Sequence, residues 1–270
     1  MKKLTALALL AISGGAFAFD QYLPVAPNKL EADLEFNYIT PTGSYVGTDK
    51  VSATGSPNEM APALQLKYGI IPGLDVEAYV EYDIYNKDAG FGYDDNGDPK
   101  AVNGLGRPQL AIKYAHPELG IGGFVNVALP LGSKDIVGDK TPTQIMGGII
   151  YGKTFNQIVV NAFADYQYNT ENAAKIKQDA IEAYAQGQFN VTPMVGPYLG
   201  VDFLKTLNAS MDGTSFDPSI AGYLLTLKPG ANLTINDKFA AELTVPVTVM
   251  GKNAGTYWGI YVGAYYTFAL

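Results

Sequence analysis

The sequence predicts an all-β protein, a transmembrane up-and-down antiparallel β-barrel of about twelve strands, on three observations. Apolar and polar residues alternate with a period of two along segment after segment, the pattern of strands between two different solvents. Long polar connections alternate with tight turns, as a barrel with short periplasmic turns and longer external loops requires. The stretch Thr256 to Leu270 ends the chain on a strand, with Trp258, Ile260, Val262, Ala264, Tyr266, Phe268 and Leu270 on one face and Tyr257, Gly259, Tyr261, Gly263, Tyr265, Thr267 and Ala269 on the other. Such a strand is expected to close a barrel by pairing with the first, leaving no edge toward lipid.

The N-terminus comes first. Lys2 and Lys3 precede an apolar run from Leu4 to Ile12, then small residues and Ala16-Phe17-Ala18. This is the form of a secretory signal peptide, residues 1–18, cleaved after Ala18. Residues 19–28 are read as a periplasmic N-terminal strap and residues 29–270 as the barrel. No later run reaches the roughly 20 consecutive apolar residues of a membrane helix. Removing the leader moves the formal charge from -8 to -10, an acidic balance that argues against nucleic acid as a partner. With no cysteine, disulfides, thiol catalysis and thiolate metal sites are excluded. Apolar content is ordinary for a soluble domain, which is how barrels hide, because only alternate residues touch lipid.

The strands follow in order. Lys29 to Thr40 sets Leu30, Ala32, Leu34, Phe36 and Tyr38 against Glu31, Asp33, Glu35 and Asn37, a pattern no helical stripe accommodates. After a loop holding Pro41, Gly43, Gly47, Gly55 and Pro57, the second strand turns Leu64, Leu66 and Tyr68 outward. The third, Leu74 to Ile84, sets Leu74, Val76, Ala78, Val80 and Tyr82 against Asp75, Glu77, Tyr79, Glu81 and Asp83. A long polar loop, Tyr85 to Arg107, leads to the fourth, with Leu110, Ile112 and Tyr114 outward and Gln109 and Lys113 inward. The fifth turns Val125, Val127, Leu129 and Leu131 outward, and the sixth Ile145, Gly147, Ile149 and Tyr151. The seventh sets Ile158, Val160, Ala162, Ala164, Tyr166 and Tyr168 against Asn161, Phe163 and Asp165.

The eighth strand is read from Ala180 to Phe189, although Ala173 to Gln188 also has the composition of a helix. The ninth turns Val195, Leu199, Val201 and Phe203 outward before a loop from Lys205 to Pro218. The tenth carries Tyr223, Leu225, Leu227 and Leu233, and the eleventh runs from Phe239 to Val249. Two aromatic girdles then emerge: Tyr68, Tyr114, Tyr151, Phe189, Phe239, Tyr266 and Phe268 at the periplasmic end, and Tyr38, Tyr82, Tyr166, Phe203 and Trp258 at the other. Pro130, Pro197, Pro229 and Pro246 each remove a ladder donor, so bulges or strand ends are expected there.

The inward face is where chemistry would lie. Candidate lumen-lining residues are Glu31, Asp33, Glu35, Asp75, Glu77, Tyr79, Glu81, Asp83, Lys113, Phe163, Asp165, Glu182, Tyr184, Tyr198, Asp202, Glu242, Tyr261 and Tyr265. Carboxylates outnumber the inward cations Lys67, Lys113 and Lys228, and acidic rings favour cations in a pore. The alternative is a hydrated lining in which acids pair with lysines, Lys67 with Asp75 across their hairpin, and in which the aromatic rings fill the lumen. No catalytic residues are expected: the one histidine, His116, belongs to a tight turn before Pro117, so the usual general base is missing. Asp94, Asn96 and Asp98 have the alternate oxygen spacing of a calcium loop, but Pro99 and the lack of a distal Glu leave a weak divalent-ion candidate beside a solvated loop tip. No cofactor is expected.

Several short motifs add a resemblance. Lys67-Tyr68-Gly69 before a tight turn, Gly104-Leu105-Gly106 ahead of Leu110 to Tyr114, Leu129-Pro130-Leu131-Gly132, Pro246 with Gly251-Lys252-Asn253, and Tyr265-Tyr266-Thr267-Phe268 occur in this order. Over most of the mature chain the sequence resembles the outer-membrane β-barrel family labelled phenol-degradation (meta-pathway) transporters. It departs from that family at Arg107, where an acid is usual, and in the Ala269-Leu270 that follows Phe268. The resemblance implies fold and outer-membrane location more than substrate. The last strand also looks like the assembly signal of outer-membrane proteins, in Tyr261, Gly263, Tyr266 and Phe268, which implies the barrel assembly machinery and outer-membrane lipid as partners.

The expected function is a passive channel or transporter for a small solute, with an acidic, Tyr-rich lumen. A plugged structural or surface-binding barrel acting through its external loops is the alternative, and a secreted soluble β-sandwich a third reading.

Overall fold

The structure, a computed structural model, describes residues 24–52, 58–86, 92–93, 99–133, 136, 142–171, 175–211, 214–215 and 221–269. The expected signal peptide, the start of the expected strap and the calcium-like Asp94, Asn96 and Asp98 lie outside the described residues. The wall is one antiparallel sheet of twelve strands closed on itself. They are β1 (Lys29–Val46), β2 (Glu59–Ile71), β3 (Leu74–Tyr85), β4 (Val102–Leu105 with Gln109–Ala115), β5 (Ile121–Ala128) and β6 (Gln144–Phe155). The circuit continues through β7 (Ile158–Asn169), β8 (Ile176–Phe189), β9 (Val195–Met211), β10 (Tyr223–Asn236), β11 (Phe239–Thr244 with Val247–Lys252) and β12 (Gly255–Ala269). The seam is formed by β1 and β12, paired from Lys29↔Ala269 to Ser44↔Gly255.

Alternation sorts the side chains between two solvents. Leu34, Leu64, Ile112, Ile149 and Leu243 stand exposed on the outside, Leu34 by 64%, while Asp33, Glu77, Asp165, Glu182 and Glu242 are buried inside. A soluble sandwich would do the opposite and bury the Leu and Val faces between sheets, so that reading is overturned. The stretch Ala173 to Gln188, from Ile176 on, is strand and not helix. On the outside, Tyr266 packs edge-on against Phe268 at 4.6 Å at the short-turn end, and Tyr38 against Trp258 at 6.0 Å toward the other. Between Leu30 and Tyr38 lie eight steps of about 3.3 Å, which after a strand tilt of about 40° cover about 20 Å of the roughly 25 Å apolar band of such barrels.

The short turns have local causes. Ile71 pairs with Leu74, and between them Pro72 precedes Gly73 at φ 81, the proline-glycine order of a type II turn. Asn156, at φ 54, begins the turn between Phe155 and Ile158. The Asn236 side chain accepts the amides of Lys238 at 2.9 Å and Phe239 at 3.0 Å, and His116 Nδ1 accepts those of Glu118 at 3.3 Å and Leu119 at 3.4 Å. His116 is therefore engaged as a turn residue.

Several expected boundaries move. The first strand does not stop at Thr40: β1 runs on to Val46 and pairs with Asp49–Ser52, with a register shift between Pro41 and Gly43. β9 continues past Lys205 to Met211. The polar loop Tyr85 to Arg107 contains wall, because Val102–Leu105 pairs with β3. The fifth strand ends at Ala128, so Leu129 and Leu131 fall outside it. Pro246, as expected, interrupts its strand, splitting β11. Pro197 and Pro229 make no bulge between β9 and β10, which stay in register from Val195↔Leu233 to Lys205↔Tyr223. Pro197 lies beyond the last β8 partner, Gln188↔Tyr198, and Pro229 faces the break in β11, its carbonyl accepting the Val245 amide at 2.9 Å. Each missing donor falls where the ladder is already open.

Candidate functional site

The inward face divides into two walls. On β1 to β4, the hairpin register puts Glu77, not Asp75, opposite Lys67. Lys67 Nζ stands 3.0 Å from Glu31 Oε1 and 2.5 Å from Asp33 Oδ2. Lys113 Nζ stands 2.6 Å from Glu77 Oε1 and 3.9 Å from Asp75 Oδ2. Each lysine is thus set between two carboxylates, and Gln65 donates to Glu77 at 3.0 Å. Asp33, Gln65 and Asp75 are wholly sealed from solvent, Lys67 and Lys113 all but so. Charges so placed are tolerated only when paired, since a buried ion gives up its hydration. Nearer the other end, Tyr79 donates to Glu81 at 3.0 Å. Gly106 leaves the room in which Glu81 and Asp83 lie, and Arg107 follows it in the chain. Glu35 is buried on β1, in register with Glu81 through Ala63 of the strand between them.

The opposite wall, β6 to β12, is built from rings, amides and fewer charges. Lys228 Nζ lies 2.7 Å from Asp202 Oδ2 and 5.2 Å from the centre of the Tyr184 ring, whose other neighbour is Phe163 in a stacked pair at 5.5 Å. Asp165 is directly opposite Glu182, and Glu182 accepts from Gln167 at 2.8 Å. Glu242 receives the hydroxyls of Tyr198 and, at 2.6 Å, Tyr265, whose oxygen is also 2.8 Å from that of Tyr261. Three of these rings need glycine beside them. A β-carbon on Gly200 would stand 2.5 Å from Tyr184 Oη, one on Gly263 2.5 Å from Tyr265 Oη, and one on Gly230 would overlap Tyr198. The tyrosines therefore lie along the wall, hydrogen-bonded to it, instead of reaching across the lumen.

All eighteen lumen candidates lie on the inward face. Four join in the Glu242 network, and five more, Glu31, Asp33, Asp75, Glu77 and Lys113, in the paired clusters around Lys67 and Lys113. Sequence reasoning passed over Gln65, Asn126, Gln144, Gln167 and Gln186, all buried on the same face, though the parity of each strand marks them. It also missed an apolar group, Ile39, Leu224 and Tyr257 with Leu204 against them, at the long-connection end. Of the assembly-signal residues, Tyr266 and Phe268 face outward and exposed, whereas Gly263 is buried and Tyr261 points inward beside Tyr265. Among the described residues no cluster of acids and histidine is arranged to hold a metal ion.

No protein-family model matches the chain, and no curated protein sequence matches it. Solved structures do. An outer membrane channel from Pseudomonas putida F1 is similar at 15% identity with a TM-score of 0.76, over 94% of this chain and 100% of that one. The β domain of the Bordetella autotransporter BrkA is similar at 10% identity and 0.57, over 88% and 99%. The NanC porin is similar at 6% and 0.53, over 87% and 98%. At these identities the likeness is one of fold, that of outer-membrane barrels.

Proposed function

We propose that this chain is a passive outer-membrane channel for a small solute, with an acidic and tyrosine-rich lumen. The carrying observation is the closed wall that turns Leu34, Ile149 and Leu243 outward and Asp33, Glu182 and Glu242 inward. An apolar outside calls for lipid and a charged inside for water. The names of similar structures, a channel and a porin among them, support the reading. Residues 1–18 serve as the export signal, outer-membrane lipid surrounds the band, and the assembly machinery reads Tyr261, Gly263, Tyr266 and Phe268. The label of the family that the turns resemble adds aromatic compounds to the candidate solutes. Purified protein in planar bilayers should pass ion current with a preference for cations; silence under all voltages would sink the reading.

A second reading, the plugged barrel that binds a partner through its loops, is favoured by one observation. The ion pairs around Lys67 and Lys113 are closed to solvent. Because Val102–Leu105 is wall, the informative deletion removes residues 87–98 alone. On this reading it abolishes partner binding and leaves the fold intact.

A further inference from the structure

The chain just before β1 does not leave the barrel. Asn28, at φ 57, turns it back, with Lys29 N–H donating to the Ala26 carbonyl at 3.2 Å and Asn28 N–H to the Gly69 carbonyl at 2.8 Å. Pro27 bridges Gly69, whose position on β2 shares the inward parity of Lys67 and Gln65. The seat exists because residue 69 has no side chain. A β-carbon there would overlap the Ala26 carbonyl oxygen and come within 2.6 Å of that of Val25. One residue further back, Val25 N–H donates to Asp75 Oδ2 at 2.9 Å. Asp75 is inward, opposite Gly69 on one side and Lys113 on the other, and no water reaches it. Pro24 and Pro27 fix two φ angles of the segment before it docks, so less disorder is lost on docking.

We infer that residues 24–28 are folded into the short-turn mouth of the barrel, held by Gly69 and Asp75, and narrow the passage there. The segment lies against the same wall as the sealed pairs of Lys67 and Lys113, and covers the end of that wall with backbone. Its retention rests on two features of β2 and β3: the missing β-carbon at Gly69, and an Asp75 oxygen, Oδ2, shared between the Val25 amide and Lys113. The narrowing role rests on the channel reading above; the docking does not.

The test uses the full mature chain in lipid nanodiscs and bilayers, with Gly69→Ala as the main variant because it leaves every charge in place. Asp75→Asn is the second, since Asp75 also serves Lys113. The Val25 amide should exchange its hydrogen at least a hundredfold more slowly than an open chain in the parent, and lose that protection in both variants. Single-channel conductance should at least double in Gly69→Ala. An unprotected Val25 amide in the parent overturns the docking. A Val25 amide protected in the parent and exposed in Gly69→Ala, with equal conductance in the two and both passing current, overturns the narrowing alone, and an amide still protected in both variants overturns the hold by Gly69 and Asp75. No current from either form overturns the channel reading and the narrowing with it, whatever the amide shows.

Discussion

Lys67 is opposite Glu31 in the register of β1 and β2, yet its closest contact, 2.5 Å, is with Asp33, two residues further along the strand on the same face. The ammonium is shared by two carboxylates on one face, at a place closed to water. Removing it leaves two negative charges where none can be hydrated. Lys67→Met should therefore cost about 3–5 kcal/mol of stability, the usual loss when one member of a buried pair goes. Denaturant unfolding in detergent micelles measures it. In Lys67→Met with Asp33→Asn part of that loss should return, and the difference gives the coupling between the two.

The outer face answers to lipid. Leu34, at the middle of β1 and largely exposed, has Leu64 and Ala264 as its neighbours across the strands. Leu34→Arg should lower stability in bilayers by about 2–4 kcal/mol, as a basic residue does near the midplane. Lys50→Glu on the short hairpin beyond β1 should do almost nothing. Folding titrations into liposomes compare the two.

Glycines differ by what stands over them. At Gly230 a β-carbon would overlap the Tyr198 ring and come within 2.5 Å of the Leu243 carbonyl oxygen, while at Gly187 it would meet nothing within 4 Å. Gly230→Ala should cost about 1–3 kcal/mol through overpacking and detach Tyr198 from Glu242. Gly187→Ala should be neutral or mildly stabilising. The unfolding midpoints of the two variants and tyrosine fluorescence report it.

Carboxylates in excess inside should make the current prefer cations, and salt should erase the preference. The Debye length falls from about 10 Å at 0.1 M to about 3 Å at 1 M. Reversal potentials across a fixed salt ratio should thus approach zero at the higher concentration. Glu242→Gln, which keeps an acceptor for Tyr198 and Tyr265, should move the dilute-salt value in the same direction.

Parity carried most of the architecture. Wherever a strand crosses lipid, the outward residues must be apolar and the inward ones need not be, so Leu30 to Tyr38 or Leu74 to Tyr82 could be assigned face by face. Parity fails where both faces meet water, which is why Pro41 to Val46 and Lys205 to Met211 read as loop and are strand. It fails again at Arg107-Pro108 and Val245-Pro246, where a wall strand breaks without losing its place. Pairing between faces depends on register, and register depends on one turn. Because Pro72-Gly73 joins Ile71 to Leu74, Lys67 meets Glu77 and not Asp75. The docking of Val25 left no trace to read, since it is made by a backbone amide and by the absence of a side chain at Gly69.

The seam joins the most distant parts of the chain. Thr267 donates its hydroxyl to Glu31 at 3.3 Å across a sequence separation of 236 residues. Closing so long a loop is entropically slow and comes after local hairpins have formed. Until then the sheet has two raw margins, β1 and β12, each a row of unmet amides and carbonyls. Two half-finished copies held near one another would find in each other's margins the same partners as in their own. Crowding during insertion therefore favours exchanged, interlocked barrels, and whatever guides one margin to the other within a single chain protects against them.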